Sequence, residues 1–337
     1  RQRQMCIRDR YNALALLDLE PVYLPRPWRA GEGIAGPISP QDVENLLNPH
    51  PNIKTICITS PTYSGVLSDI KELSHIIHAR GGNLIVDGAH GAHLPFLGVD
   101  AFSGCDALIC SAHKTLPALG QSALLFTNGL DPRRVRQMTS VFGSSSPSYP
   151  MMISLDCARD YLDGKGSEEY RRVARRTAAL RAAFPSLHEG ELRLDPTRLT
   201  LTSPDGNALA QALEGENIWP EMADSGHVVL ILTAQDSEDD LHRLEEALQR
   251  HRDLLGTPPI LPPPPMPKSV RSLREALFAP VERLPLEYCL GRVAAGQLAP
   301  YPPGVPVVAP GEVIGEKELA YLREIGYNNS DVPVMCL

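Results

Sequence analysis

Short apolar runs alternate with helix-like patterns between residues 22 and 126 of the chain. Each run predicts a strand, and the apolar residues between runs recur at the three- and four-residue spacing that is typical of helices. The predicted strands cover residues 22–24, 55–59, 83–86, 107–110 and 122–126. Apolar strands that alternate with helices predict an α/β fold with a mainly parallel sheet, covered on both faces. Functional residues then gather at the carboxyl ends of the strands.

Two of the intervening helices have clear start signals. Ser39 is a candidate N-cap with Pro40 at the first helical position, which predicts a helix that ends near residue 47. Ser68 is predicted to cap a second helix over residues 68–80, and Asp69 complements the helix dipole in its first turn. Two glycines follow this helix and end it.

The second half of the chain shows a long helical pattern and then a mixed one. Residues 153–184 predict a helix that is interrupted by a pair of glycines. From about residue 192, β-like and helical segments alternate and predict a smaller α+β domain. Residues 257–267 form a stiff proline-rich linker. We therefore divide the chain into a large domain, residues 11–185, and a C-terminal small domain, residues 186–337.

Composition narrows the class of protein. Of the 337 residues, 43% are hydrophobic and 21% charged, which is typical of a folded globular protein. The net charge of −8 argues against a nucleic-acid binder. Since no apolar run is long enough to span a bilayer, no membrane partner is expected. Seven cysteines without a CxxC pair indicate free thiols in a reducing compartment, hence a cytoplasmic protein, and no metal site is expected.

Residues 1–10, RQRQMCIRDR, differ from the sequence that follows. They are strongly basic and show neither a helical nor a strand period, whereas ordinary folded sequence begins at Tyr11. A disordered basic tail is one interpretation. We favour a non-native tail, similar to a read-through segment that recurs at the ends of metagenomic gene models, and hence a chain that is truncated at its N-terminus.

The segment SAHKTLPALGQ, which follows the strand predicted over residues 107–110, is the most informative. It places Lys114 just past the carboxyl end of a buried parallel strand, where a partly desolvated amine can act as a nucleophile. Ser111 and His113 beside it are able to bind an anion. On spacing alone, a surface lysine in a loop is the favoured interpretation of Lys114.

Asp87 ends the preceding predicted strand, over residues 83–86. An aspartate at a strand end often only caps a turn. Here it precedes Lys114 by 27 positions, and each residue follows a predicted parallel strand. This pattern matches the two fixed points of a pyridoxal-phosphate site, which are a Schiff-base lysine and a carboxylate that keeps the pyridine nitrogen protonated.

Four segments together resemble a known family: VDGAHGAHLPF, SAHKTLPALGQSALL, SPTYSGVLSDI and YPPGVPVVAPGE. They are similar to the ornithine/lysine/arginine decarboxylases of pyridoxal-phosphate fold type I, in the short form, from about residue 11 to the C-terminus. The resemblance implies a fold type I large domain, a smaller α+β C-terminal domain and pyridoxal 5′-phosphate as cofactor. It also implies decarboxylation of arginine, lysine or ornithine to an amine and CO2 in polyamine biosynthesis, by a homodimer or higher homo-oligomer.

The resemblance assigns roles around the cofactor ring. Lys114 would form the Schiff base and Asp87 would pair with the pyridine nitrogen. Ala89 would pack against the cofactor, and His90 would lie next to the ring. Lys114 or His113 would protonate the substrate Cα after CO2 is lost.

Further positions follow from the same resemblance. The residues that would hold the phosphate, orient the lysine or line the substrate path are Ser111, His113, Thr62 and Tyr63. The segment that would reach the partner subunit contains Ser144, Ser145, Ser146 and Tyr149. The candidate acids for the substrate side chain are Glu221 and Asp224. The alternatives are a loop-packing tyrosine at position 63, a flexible serine loop, and solvent-facing loop acids.

The front of the chain departs from the family pattern. Family members carry, before the position of Tyr11, a phosphate-binding loop and a histidine that stacks on the pyridine ring within an H-K-S triplet; this sequence has neither. The resemblance therefore implies a partly complete site and weak cofactor binding. Two alternatives to a decarboxylase stay open: an aminotransferase or other fold type I lyase, and a non-catalytic truncated product.

Overall fold

A computed structural model describes residues 5–300, 306–327 and 329–336. The described residues form two compact units, one of residues 24–260 and one that combines the described residues before 24 with those after 260. The boundary at residue 260 falls inside the proline-rich segment 257–267. The division into domains after residue 185 stays a prediction.

Regular elements occur throughout the described residues. The α-helices are α1 Met5–Leu16, α2 Pro40–Leu47, α3 Ile70–Ala79, α4 Ala112–Thr115, α5 Pro132–Phe142, α6 Tyr149–Tyr161, α7 Ser167–Ala183, α8 Gly206–Gly215, α9 Glu238–Arg250, α10 Leu273–Phe278 and α11 Glu316–Glu324. The strands are β1 Trp28–Arg29, β2 Ile34–Ala35, β3 Thr55–Thr59, β4 Val66–Leu67, β5 Asn83–Asp87, β6 Ala107–Ser111, β7 Ala123–Thr127, β8 Arg193–Leu194, β9 Arg198–Thr202, β10 Met222–Ala223, β11 His227–Ile231, β12 Val281–Leu284 and β13 Val332–Met335.

The principal sheet of the larger unit has the strand order β3-β5-β6-β7. The first three strands are parallel, which confirms the mainly parallel sheet. In the register, Asp87 lies beside Thr59 on one side and Ile109 on the other. Strand β7 is antiparallel to β6, and the connection between them, residues 112–122, contains the single turn of α4 rather than a full crossover helix.

Helices α2 and α3 share a core with this sheet. Val43, Leu73 and Ile77 of the helices pack in one buried cluster with Leu84 and Val86 of β5. Burying each of these side chains contributes roughly 1.5–3 kcal/mol. The core therefore fixes the sheet on which the carboxyl-end residues are placed.

The start of α2 agrees with the sequence, and the start of α3 does not. Ser39 caps α2 through a capping box with Asp42, and Pro40 is the first helical residue. The N-cap of α3 is Asp69, whose carboxylate accepts a hydrogen bond from the backbone of Glu72, so the assignment of Ser68 as cap was wrong. Ser68 is buried, and its hydroxyl accepts from the backbone N–H of Ile38 instead.

The region from α6 to α9 follows the predicted pattern. A π-helical turn, Leu162–Gly166, separates α6 from α7, as the pair of glycines predicts. A second sheet of order β10-β11-β9 packs with α7, α8 and α9 around buried leucines. This is the α+β arrangement that the sequence predicts there.

Other expectations meet a different outcome. Residues 22–24 form no strand, since prolines flank them and cannot donate to a ladder. The predicted tail is only partly described: residues 1–4 lie outside the described residues, and helix α1 begins at Met5. The start of the motif YPPGVPVVAPGE, residues 301–305, also lies outside them. Among the described residues, no helix is long and apolar enough to cross a membrane.

Candidate active site

Lys114 lies in the single turn of α4, directly after β6. The turn is held by the bond from the backbone N–H of Leu116 to the carbonyl of Ala112, 2.8 Å, and by Tyr170, whose hydroxyl donates to the carbonyl of Thr115. The half-buried Nζ of Lys114 lies 3.2 Å from Nε2 of His90. The amine is thus fixed at the carboxyl edge of the sheet.

Asp87 ends the neighbouring parallel strand β5 and is only 7% exposed. Its Oδ1 accepts a hydrogen bond from the backbone N–H of Ala89, 3.2 Å away, in a tight turn. Burial, with the negative charge of Asp87 as a further contribution, raises the pKa of the Cys110 thiol to about 12. The carboxylate therefore lies beside the end of β6, the strand that precedes Lys114.

His90 joins several of the predicted site residues. Its ring is buried, contacts Lys114 through Nε2, and lies 4.5 Å from the ring of Tyr63, centroid to centroid, at an interplanar angle of 55°. Tyr63 is half-buried in the loop after β3. The structure thus brings Lys114, His90 and Tyr63 together, with Asp87 on the adjoining strand.

Arg198, at the start of β9, contacts both His90 and Tyr63. Its side chain is fully buried; Nη1 lies 3.4 Å from Nδ1 of His90, and Nη2 donates to the His90 carbonyl at 3.2 Å. Nη1 also donates to the carbonyl of Tyr63 at 3.5 Å. Gly65, at φ +83°, gives the arginine room: a Cβ there would lie 2.8 Å from Cγ of Arg198.

A buried polar network supports Arg198. Asp195 pairs with the guanidinium at 3.5 Å and with Nε2 of His93 at 3.0 Å. The hydroxyl of Thr197 lies within hydrogen-bond distance of both Asp195 and His93, 3.1 Å from Oδ1 of Asp195 and 2.9 Å from Nε2 of His93. Arg181 donates to the backbone carbonyls of Asp195 and Arg198. Because every member is buried and several bonds are charge-assisted, the network fixes the start of β9.

The remaining residues beside the lysine make local contacts. Nδ1 of His113 donates to the carbonyl of Ser122 at 2.8 Å. The Ser111 hydroxyl is buried at the start of α4 and makes no capping bond within the described structure. Thr62 accepts a hydrogen bond from the backbone N–H of Val66 at 3.1 Å, which closes its own turn. The cofactor roles of these residues stay predictions.

The substrate and partner candidates lie elsewhere on the larger unit. Asp224 accepts three bonds within the β10–β11 turn, from the backbone N–H groups of Gly226 and His227 and from Nδ1 of His227. The backbone of Glu221 pairs with that of Val229. The serine loop is exposed and contains Ser144, Ser145 and Ser146, and Tyr149, also exposed, begins α6. Their roles also stay predictions.

Comparison with known proteins identifies the family. A model described as "Orn/Lys/Arg decarboxylase, major domain" matches residues 5–203, and one described as "Orn/Lys/Arg decarboxylase, C-terminal domain" matches residues 263–334. This chain belongs to the Orn/Lys/Arg decarboxylase family. The resemblance of the motifs and the expected fold type I are therefore confirmed.

Relatives of this decarboxylase-family chain are longer than it. It is 30% identical to an arginine decarboxylase of Halalkalibacterium halodurans over 96% of this chain and 71% of the relative, and 30% identical to one of Bacillus subtilis over 86% and 65%. The solved constitutive lysine decarboxylase of E. coli shares the fold at 18% identity with a TM-score of 0.79. That match covers 99% of this chain but 66% of the solved one.

The family uses pyridoxal phosphate, and the described residues fit that cofactor. An aldehyde needs an amine, and Lys114 offers one at the carboxyl edge of the sheet. A pyridine nitrogen needs a carboxylate, and Asp87 ends the adjacent parallel strand. Ala89, two residues after Asp87, is small and almost fully buried. The donor set therefore has the chemistry that the cofactor requires.

The sequence patterns predict no role for three residues of the buried network, which are Arg198, Asp195 and His93. The run RLTLTS around residue 198 predicts a strand, and an arginine at the edge of such a run is usually solvent-exposed. The available signal was the crowding of polar residues in DPTR, directly before a strand that is buried along its length. A buried strand with such a start needs partners for its charges.

Proposed function

We propose that this chain binds pyridoxal 5′-phosphate at Lys114 and Asp87 and decarboxylates a basic amino acid. The observation that supports this most directly is the position of the two side chains. An amine and a buried carboxylate follow neighbouring parallel strands, β6 and β5, in a member of a decarboxylase family. Both residues lie where α/β sheets bind their ligands.

The chemistry divides between cofactor and protein. When bound, pyridoxal phosphate supplies an electron sink for the pair of electrons that the departing CO2 leaves behind. Asp87 holds the positive charge on the ring nitrogen, since a buried carboxylate stabilises a proton on its partner. Lys114 anchors the cofactor and then holds the proton that Cα receives, with His90 3.2 Å from its Nζ. His113 is the alternative acid.

We infer arginine as the first substrate to test, because the two relatives at 30% identity are named arginine decarboxylases. Lysine and ornithine share the α-amino acid and the distal cation. An anionic partner for that cation is needed, and Glu221 and Asp224 are the proposed acids. We also propose that the amine product serves polyamine biosynthesis and that the reaction takes place in the cytoplasm.

We also propose a homodimer or higher homo-oligomer. Large apolar side chains are exposed on α5 and α6, and Val141, Phe142 and Ile153 are each more than 60% exposed. We propose these helices as the contact surface, because large apolar side chains that group on a surface mark protein interfaces. The serine loop, residues 144–146, lies between these helices and is proposed to reach the second subunit.

The test is direct. The 337-residue chain is incubated with pyridoxal phosphate and then, in separate samples, with arginine, lysine and ornithine. Release of CO2 with formation of the matching amine supports the decarboxylase. A keto acid without CO2 indicates an aminotransferase, and neither product, together with no cofactor absorbance band, indicates a non-catalytic protein.

A further inference from the structure

We propose that Arg198 is a positioning residue for Lys114 and acts through the ring of His90. The inference rests on the proposed role of Lys114. In this proposal, Arg198 determines which ring nitrogen of His90 carries the proton. The hydrogen bonds around the ring determine that choice.

The two nitrogens of His90 face different partners. Nδ1 faces Nη1 of Arg198 at 3.4 Å, and Nε2 faces Nζ of Lys114 at 3.2 Å. A guanidinium has donors only and keeps its charge, whereas a lysine amine, which also has donors only when protonated, can lose a proton and then accept. Nδ1 must therefore present a lone pair to the guanidinium, and the single ring proton of a neutral His90 lies on Nε2. A doubly protonated ring would place an N–H against the arginine.

This tautomer directs the Nε2–H of His90 at Lys114. The hydrogen bond is satisfied when Nζ accepts it with a lone pair, and a lone pair is also what an amine needs to bond to an aldehyde carbon. Arg198 thus orients the lysine without touching it. A second bond, from Nη2 to the His90 carbonyl, fixes the backbone of the same residue.

Contacts with three other residues hold the side chain of Arg198 in place. Asp195 compensates its buried charge, Gly65 leaves room for its aliphatic part, and the carbonyl of Tyr63 receives Nη1. The guanidinium therefore links the loop after β3, the turn after β5 and the start of β9.

The experiment reads the tautomer by nitrogen-15 NMR of the full chain labelled at histidine, with His90→Gln to identify the His90 signals. We expect an unprotonated Nδ1 and a protonated Nε2. The opposite tautomer, or a doubly protonated ring near neutral pH, overturns the proposal without any variant of Arg198.

Variants then separate positioning from folding. Arg198→Met removes the donors and is expected to move the His90 signals toward mixed tautomers, whereas Arg198→Lys, which keeps a donor, restores the pattern. Arg176→Met is the matched control, because this half-buried arginine of α7 pairs with Glu238 and Glu245 and is not a member of the network around Asp195. It is expected to leave the His90 signals unchanged. Unchanged signals in Arg198→Met overturn the proposal.

A second measurement connects the tautomer to the lysine. Borohydride trapping after brief exposure to pyridoxal phosphate measures how fast Lys114 is labelled. We expect labelling roughly five- to tenfold slower in Arg198→Met, the effect of one lost hydrogen bond. An unchanged rate contradicts the positioning role. A pyridoxyl group on another lysine in the unmutated chain contradicts the proposed function instead, and the His90 tautomer remains a separate result.

Discussion

Nε2 of His93 lies 3.0 Å from Oδ1 of Asp195, and both side chains are fully buried. Burial alone would raise the pKa of Asp195, but His93 and Arg198 outweigh it and hold the pKa well below its usual range. The carboxylate is thus charged and matched by its neighbours. Asp195 pairs with both His93 and Arg198, so its loss would leave each of them without its carboxylate partner.

Asp195→Asn is expected to destabilise the chain by about 3 kcal/mol, because an uncompensated Arg198 remains buried. Urea unfolding followed by circular dichroism measures the loss. Thr197→Val, which removes a neutral hydroxyl from the same network, is the control and is expected to cost about 1 kcal/mol. An equal loss of unfolding free energy in the two variants would show that the charge of Asp195 contributes no more to stability than the neutral hydroxyl of Thr197.

Lys114→Ala is expected to abolish decarboxylation and borohydride labelling by pyridoxal phosphate, with a change in stability within about 0.5 kcal/mol. The reason is that a half-buried side chain in a single helical turn contributes little to the core. Peptide mapping of the reduced, cofactor-treated chain locates the label. The matched control is Lys54→Ala, an exposed lysine before β3, which should retain both. A label that persists in Lys114→Ala argues against the assignment.

Asp87→Asn is expected to lower decarboxylation at least about 100-fold, since an amide does not hold a proton on the ring nitrogen. The turn bond from Ala89 persists, because the amide oxygen also accepts, and thermal stability should change little. Asp106→Asn is the control: its carboxylate also lies at the sheet but bonds to the backbone of Leu84 and to His78. Near-normal turnover in Asp87→Asn would contradict the electron-sink role.

The sequence was sufficient where local patterns are decisive. Residues 55–59 form β3 with the predicted bounds, because a β-branched apolar run between turn residues has few other solutions. The placement of Asp87 and Lys114 follows from the strands, since parallel neighbours end at the same edge. His90 lies three residues after Asp87, so the turn that positions one also positions the other.

The sequence was insufficient where distant segments meet. Arg198 is 108 positions from His90, and only the packing of β9 behind the loop after β3 brings them together. The cap of α3 shows the same limit on a smaller scale. Ser68 and Asp69 are both good capping residues, and the tertiary bond from the backbone of Ile38 to Ser68 decides between them.

Phe142→Asp is expected to weaken self-association, because a charge in an apolar interface must be desolvated on binding. Phe142 is 82% exposed at the end of α5. Sedimentation velocity over a range of concentrations measures the effect, and we expect a dissociation constant at least about tenfold higher. Trp219→Asp, at a residue 71% exposed before β10, is the control and should leave association unchanged. A monomeric unmutated chain would remove the basis of the proposal.

Glu312→Gln tests the pH dependence of the smaller unit. Burial, with Glu318 as a further contribution, raises the pKa of Glu312 to about 7, although the backbone N–H of Ala309 donates to its carboxylate at 2.7 Å. In the unfolded chain the pKa has its ordinary value near 4.5. Folding therefore takes up a proton between these two values, and the free energy of unfolding falls as the pH rises from about 4.5 to about 7.

Glutamine mimics the protonated side chain and stays neutral as the pH rises, so the variant does not lose stability through ionisation of a buried carboxyl. The variant is thus expected to match the unmutated chain near pH 4.5 and to be more stable by roughly 1–3 kcal/mol at about pH 8. Hydrogen exchange of peptides around residues 307–322, with both proteins compared at each pH, measures the difference. Glu316→Gln, an exposed carboxylate in the first turn of α11, is the control and should show the same small difference at both pH values. If Glu312→Gln gained no stability at the higher pH, the carboxyl would be ionised in the folded unit without cost, and the burial of Glu312 would not govern its titration.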